Sequence, residues 1–360
     1  MNRFTGLVVG AVFAPTLAIS GGLERSELPT SFLYEDGNYL EVTYINRNFE
    51  INDNMFAPSG MLDDVSSVHF ATKFDAGENL SVGLARYNQA GASHNYQGAG
   101  SPIPGFSAIA PRTDLSINAL TVMGRYSFDN FSAIGGIKIS TVADATADIF
   151  KLSGATTAAS IEGGSDTGIV AGVAYERPEI ALRVELLYEA EASFSLVTTG
   201  GLLGTATANT TASVPDYRTL NFQSGIAEDT LLYGSIRQAD WSNHQVAVAP
   251  QTQAAPTSDF SDSTTYTIGI GRKISDQWSA TISYKTEEAT DNTGTSLLSP
   301  TDGYEAVGAA AIYTLENGTE ITVGVNYSMV GDKTITTSDV SGLYSDNTVV
   351  TSGIKVAYNF

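Results

Sequence analysis

The sequence has 360 residues, and only 16% of them are charged, where about 25% is usual for a soluble domain. The formal charge is −21, so there is no basic surface to neutralise phosphates, and a nucleic-acid partner is excluded. Cysteine is absent, which removes disulfides and thiolate metal sites and suits passage through an oxidising periplasm. Mean hydropathy is near zero, as expected when apolar residues are spread through alternating strands rather than gathered into membrane helices. The acidity fits soluble loops, or loops that bridge to anionic lipopolysaccharide through divalent cations.

At the N-terminus, Asn2 and Arg3 precede an apolar run from Phe4 to Leu17, and Ala18-Ile19-Ser20 places small residues where a signal peptidase reads. Residues 1–20 are therefore expected to be a signal peptide. The run is too short for a spanning helix, and Pro15 interrupts it. No later stretch can span as a helix, so insertion has to be through strands.

Residues 21–38 are polar and irregular. Tyr39 to Glu50 then alternates, with Leu40, Val42 and Tyr44 opposite Glu41, Thr43 and Arg47. Val65 to Phe74 is a second strand, and Asp75-Ala76-Gly77-Glu78-Asn79 is a tight polar turn. The third strand carries Leu80, Val82 and Leu84 before a long break from Ala90 to Arg112. Strand four, Thr113 to Phe128, aligns Leu120, Val122, Tyr126 and Phe128, and strand five aligns Phe131, Ala133, Ile137 and Ile139. Ile169, Ala171, Val173 and Tyr175 mark strand six, and Leu182, Val184, Leu186 and Tyr188 strand seven. Strand eight carries Leu220, Phe222 and Ile226; strand nine, Thr230 to Trp241, has no readable parity. Tyr266, Ile268 and Ile270 belong to strand ten, and Trp278, Ala280, Ile282 and Tyr284 to strand eleven. Strand twelve ends at Tyr313, before the hairpin signal Glu316-Asn317-Gly318. Strand thirteen has Ile321, Val323, Val325 and Tyr327, and Thr348 to Phe360 is the last.

About fourteen strands, joined by short turns and long loops in strict alternation, predict a transmembrane antiparallel β-barrel. Both termini then lie at the short-turn, periplasmic end, and the last strand must pair with Tyr39–Glu50 to close the sheet. Aromatic residues at many strand ends (Tyr126, Phe128, Phe131, Tyr175) suit interfacial girdles. A soluble sandwich or β-helix is the competing architecture.

The parity opposite the apolar one faces the lumen. It carries Arg125, Lys138, Arg183, Lys285 and Lys355, with Glu185, Glu189 and Glu191. These cations either pair with the acids in a wet lumen or bind the carboxylate of an acidic ligand. Small lumen residues such as Gly172 and Gly269 either ease strand packing or leave room for a ligand. Three long loops are unusually apolar, at Phe106, at Ile149, Phe150 and Leu152, and at Leu202 and Leu203. Such residues either pack together or capture an apolar molecule. His69, His94 and His244 are dispersed, and nothing local marks a nucleophile, so no catalytic, cofactor or metal site is expected.

In overall plan, with a signal peptide, an N-terminal segment, about fourteen strands and apolar outer loops, the chain resembles the FadL/TodX family of outer-membrane transporters for hydrophobic compounds. Pro215 leading into strand eight, Gly225 beside the next turn and Trp241-Ser242 ending strand nine are local echoes. The resemblance implies that ligand lands between outer loops, enters a lumen pocket and leaves through a kinked strand, gated by an N-terminal hatch. The third and fourth loops of that plan would be Ala145–Ser165 and Leu196–Pro215. Residues 21–38 would be a reduced hatch or plug, shorter than the family's and without its Asn-Pro-Ala motif, and residues 39–360 the barrel.

The expected function is passive uptake of a hydrophobic, acidic small molecule such as a long-chain fatty acid. Loop residues would capture it, and a lumen cation, Arg183 or Arg125 first, would orient its head group. Outer-membrane lipid, lipopolysaccharide and the barrel-assembly machinery are the other expected partners. The alternatives are a polar-solute diffusion porin and a barrel enzyme such as a lipase.

Overall fold

The structure, a computed structural model, describes residues 22–148, 159–250, 254, 256–337 and 340–360. Residues 1–20 and the loop positions Ile149, Phe150 and Leu152 lie outside them. Among the described residues, fourteen antiparallel strands close into one barrel. These are β1 (Tyr39–Glu50), β2 (Val65–Asp75), β3 (Leu80–Asn95), β4 (Arg112–Phe128), β5 (Phe131–Val142), β6 (Gly164–Arg177) and β7 (Leu182–Glu189). The second half is β8 (Tyr217–Ala227), β9 (Thr230–Ala239), β10 (Ser263–Lys273), β11 (Trp278–Glu287), β12 (Tyr304–Thr314), β13 (Glu320–Val330) and β14 (Asn347–Asn359).

Each strand pairs with the one before it, and β14 also pairs with β1, with Leu40 opposite Tyr358 and Val42 opposite Val356. Closure leaves no free edge along that seam, the feature that lets a sheet live in lipid. The period of two is obeyed as expected. Val42, Val122, Ile137, Ile169 and Ile282 stand exposed on the outer face, while Arg47, Lys138, Glu189 and Lys285 are buried inside. So large an apolar belt around a closed sheet is stable only against hydrocarbon.

Four readings of the sequence need correction. The third strand does not break at Ala90 but runs to Asn95, with a register shift between Asn88 and Ala90 that the alternation alone does not reveal. The stretches read as the third and fourth loops hold paired strand among their described residues: Ala145–Asp148 pairs with Ala159–Ile161, and Ala192–Gly200 with Thr207–Val214. Strand nine stops at Ala239, and Trp241 is a buried residue in a short turn. Glu191 is not in the lumen; it lies past the end of β7, exposed, 3.6 Å from His244.

Apolar cores lie toward both ends of the barrel. At the short-turn end, Leu28, Phe32 and Leu33 pack against Tyr39, Ala71, Ala85 and Tyr87. Gly83 permits this approach, because a Cβ there would sit 2.5 Å from Leu33 and 2.6 Å from Phe32. At the long-loop end, Leu23 joins Leu196, Val214, Trp241 and Phe260. Beyond it, the long loops form a further core around Phe56, Tyr96 and Tyr344, whose two tyrosine hydroxyls are 2.9 Å apart.

Candidate functional site

Residues 22–38 run along the inside of the barrel, and a buried polar network fastens them to its wall. Arg237 on β9 donates to Glu24 at 2.6 and 3.0 Å, to Glu189 on β7 at 3.0 Å and to Thr219 at 2.6 Å, while its guanidinium lies 3.9 Å from the Tyr217 ring centre. Lys138 on β5 reaches the other oxygen of Glu189 at 3.3 Å. Lys285 on β11 bonds Glu27 at 2.7 Å. Lower down, Glu185 accepts from Thr30 at 2.7 Å and from Tyr34 at 2.6 Å. Buried charges are tolerable here because nearly every one meets an opposite charge with hydrogen-bonding geometry.

The five lumen cations expected from the sequence therefore face inward, and four of them meet carboxylates. Arg125 pairs with Glu176, Lys138 with Glu189, Lys285 with Glu27 and Lys355 with Glu41. Arg183 instead lies over the Tyr34 ring at 4.1 Å, with Arg125 on the same ring at 4.3 Å. Arg125 and Arg183 come together with Glu35, Lys73, Glu176 and Glu320 around a polar cavity of about 610 Å³ at the short-turn end.

Among these groups Glu35 belongs to the inner segment itself. Burial holds its carboxyl up to about 7, against the pull of Lys355 and Arg183 and with the push of Glu320 and Glu41; its carbonyl accepts from Lys73 at 2.5 Å. A carboxyl raised from 4.5 binds more protons in the folded chain than in the free one. The lower part of the segment is therefore held best below about pH 4.5 and less well as pH rises through 7. Hydrogen exchange of residues 29–38 should lose protection between pH 5.5 and 8, after correction for intrinsic rates, and Glu35→Gln should flatten that change.

The wall is discontinuous at β3. From Leu80 to Asn95 this strand stays paired with β4, but it pairs with β2 only from Ser81 to Arg86. β2 itself continues along β1 up to Val65. Beyond the Phe70–Arg86 pair the two strands part, and a bridge between Leu62 and His94 closes the top of the resulting side window. The N-terminal segment takes the vacated edge: Arg25 N–H donates to Gln89 O at 2.9 Å, and Gly91 N–H donates to Leu23 O at 2.9 Å.

Above the segment lies a narrow cavity of about 30 Å³, almost wholly apolar. Leu23 forms its base, and Leu115, Ile161, Leu196, Val248, Phe260 and Leu298 are among its walls. His94 faces it as well. Of the expected capture residues, Phe106 is half-buried against Phe56, ring centres 5.6 Å apart, and so belongs to the loop core. Leu203 is half-buried, in the turn Gly201–Leu203 that also contains Leu202. Of the cavity walls, the sequence reading had reached Leu196, at the start of the apolar stretch Leu196–Pro215, and had missed most of the others. Val246 and Val248 alternate within a loop otherwise read as a gap, and that was the one signal available for them.

Taken together, the closed sheet, the occupied lumen and the parted third strand define a fourteen-stranded transmembrane barrel with an inner segment and a side window. No family model matches the sequence, and no curated protein matches it. Solved structures do match in fold. A FadL homologue of Pseudomonas aeruginosa aligns with a TM-score of 0.72 and 14% identity over 92% of each chain. The Pseudomonas putida toluene transporter TodX aligns with a TM-score of 0.61 and 12% identity over 97% of this chain and 99% of that one. The Ralstonia pickettii toluene transporter TbuX gives 0.61 and 10%, over 97% and 98%. The resemblance to FadL/TodX barrels expected from the sequence is borne out in the fold.

Proposed function

We propose that this protein carries hydrophobic small molecules passively across the bacterial outer membrane, with long-chain fatty acids as its ligands. The observation that carries the reading is the apolar cavity at the long-loop end, floored by Leu23 of the inner segment and adjoining the window between β2 and β3. An apolar molecule entering there trades water for leucine, valine and phenylalanine side chains. The cavity is narrow, so loading has to spread the loops or displace the segment, and the same displacement uncovers the window. Ligand then leaves sideways, and the segment acts as the hatch. The likeness in fold to a FadL homologue and to two toluene transporters supports the class.

A polar-solute porin would need a continuous wet lumen, and here residues 22–38 cross it with buried ion pairs and an apolar core at each end. Lysine and arginine side chains on the lumen wall remain candidates for orienting an acidic head group, Arg183 among them, because it faces an aromatic ring rather than a carboxylate.

Tryptophan fluorescence tests where ligand goes. The chain has two tryptophans; Trp278 is exposed on the outer face, whereas Trp241 is buried 5.7 Å from the cavity residue Phe260, ring centre to ring centre. In a Trp278→Phe variant, a brominated fatty acid should quench Trp241 saturably. Fluorescence that falls only in proportion to added lipid would count against an internal site.

A further inference from the structure

Among the described residues, one cation stands on the outer wall within the apolar belt. Ala85 and Tyr87 face inward and are fully buried, so Arg86 between them points outward, and it is exposed. Leu80, Val82 and Leu84 lie below it on the same face of β3, and it stands opposite Phe70 on β2 and Leu120 on β4. At about 3.3 Å per residue Arg86 is roughly 20 Å from Leu80 along a tilted strand, inside a belt about 25 Å tall. The other outward arginines, Arg112, Arg177, Arg218 and Arg272, lie at or next to the end of a strand. Arginine keeps its charge in any surroundings, and on a lipid-facing wall it is costly unless an anion or water reaches it.

Arg86 is also the last residue of β3 to pair with β2, so it forms the outer sill of the window. Its Nη1 donates across the gap to the Val68 carbonyl at 3.3 Å, and Val68 itself is 51% exposed. That bond caps a strand-edge carbonyl and uses one of five N–H donors. Among the described residues no carboxylate contacts the guanidinium. The outer face beside it also turns polar early. On β1, Asn46 follows Leu40, Val42 and Tyr44, and it shares Ser66 Oγ with the Tyr44 hydroxyl, at 2.9 and 3.0 Å. On β4, Asn118 lies just beyond Leu120; it donates to Ser116 Oγ at 3.5 Å and accepts from Asn88 at 3.4 Å. On β13, by contrast, the outward residues stay apolar from Ile321 to Met329. Both polar flanks lead from the sill to the long-loop end, and hydrocarbon has little to cover there.

We infer that Arg86 binds the phosphate of an outer-leaflet lipid at the sill of the window between β2 and β3, so that a headgroup and its water, rather than acyl chains, cover the opening from outside. The phosphate oxygens take the N–H donors that the Val68 carbonyl leaves free. The site does not depend on what the barrel carries. On the proposed path, a molecule leaving sideways meets this polar layer before it reaches hydrocarbon.

The chain has no cysteine, so a single fluorophore can be placed at the sill by Val68→Cys, or elsewhere on the lipid-facing wall by Ile282→Cys. Full-length protein is reconstituted into vesicles of digalactosyl diacylglycerol, which lacks phosphate, with a small fraction of phosphatidic acid or diacylglycerol carrying a nitroxide on one chain. Phosphatidic acid should quench the fluorophore at Val68→Cys with about fivefold higher relative affinity than diacylglycerol, and neither lipid should be preferred at Ile282→Cys. Arg86→Gln should abolish the preference, Arg86→Lys should keep part of it, and millimolar inorganic phosphate should leave it in place. Quenching at Ile282→Cys in each Arg86 variant shows that the barrel is inserted. Equal quenching by the two lipids at Val68→Cys, a preference that survives Arg86→Gln, or displacement by inorganic phosphate would overturn the lipid site. None of these results bears on fatty-acid quenching of Trp241, which tests the transport reading separately.

Discussion

Replacing Arg237 by methionine should destabilise the barrel by about 3–5 kcal/mol, the usual cost of stranding buried charges by removing one partner. Arg237 is 3% exposed and bonds Glu24 of the inner segment and Glu189 of β7. Without it, Glu189 retains Lys138 at 3.3 Å, but Glu24 keeps no described cation. Glu24 can then ionise only by leaving the lumen, which pulls the segment with it. Urea unfolding in detergent micelles should show the loss. Glu24→Gln combined with Arg237→Met should recover a good part of it, because the stranded charge is gone. An unchanged unfolding midpoint in Arg237→Met would mean that the network does not hold the segment.

Leu196→Asp should reduce uptake of a hydrophobic substrate by about 10- to 100-fold while the barrel still assembles. Leu196 is 3% exposed and forms part of the cavity wall, on the outer hairpin Ala192–Gly200 rather than on a barrel strand. A large aliphatic side chain contributes roughly 1.5–3 kcal/mol when buried against an apolar partner. A carboxylate in its place also draws water into the cavity, and a ligand has to displace that water. Leu343→Asp, on an exposed residue of the last long loop, serves as the control and should transport normally. Equal uptake by both variants would show that ligand bypasses the cavity.

Much of the barrel was legible because a two-residue period survives wherever one face meets lipid and the other water. Lys138, Lys285 and Lys355 could be assigned to the lumen for that reason, and they lie there. β9 resisted because Leu231 and Leu232 occupy opposite faces and Gly234 receives the Phe222 ring, which blurs the alternation. The extension of β3 was hidden by its bulge: after Asn88 the parity resets, and the strand is covered by the chain's own residues 23–26 instead of lipid. Partners such as Glu24 with Arg237 are separated by 213 residues, and local pattern carries no information about pairs so far apart. A lone arginine in a sequence does not reveal whether a carboxylate waits across the lumen.

The central claim is that the lumen is a route for apolar molecules and closed to polar ones. Reconstitution of the full-length protein into liposomes tests both halves at once, by following uptake of a radiolabelled long-chain fatty acid into vesicles loaded with albumin and swelling in an isotonic sugar solution. Fatty-acid entry should accelerate with protein, the Leu196→Asp variant should lose most of the acceleration, and swelling should match protein-free vesicles. Rapid swelling with no gain in fatty-acid entry would contradict the account and mark the barrel as a diffusion pore.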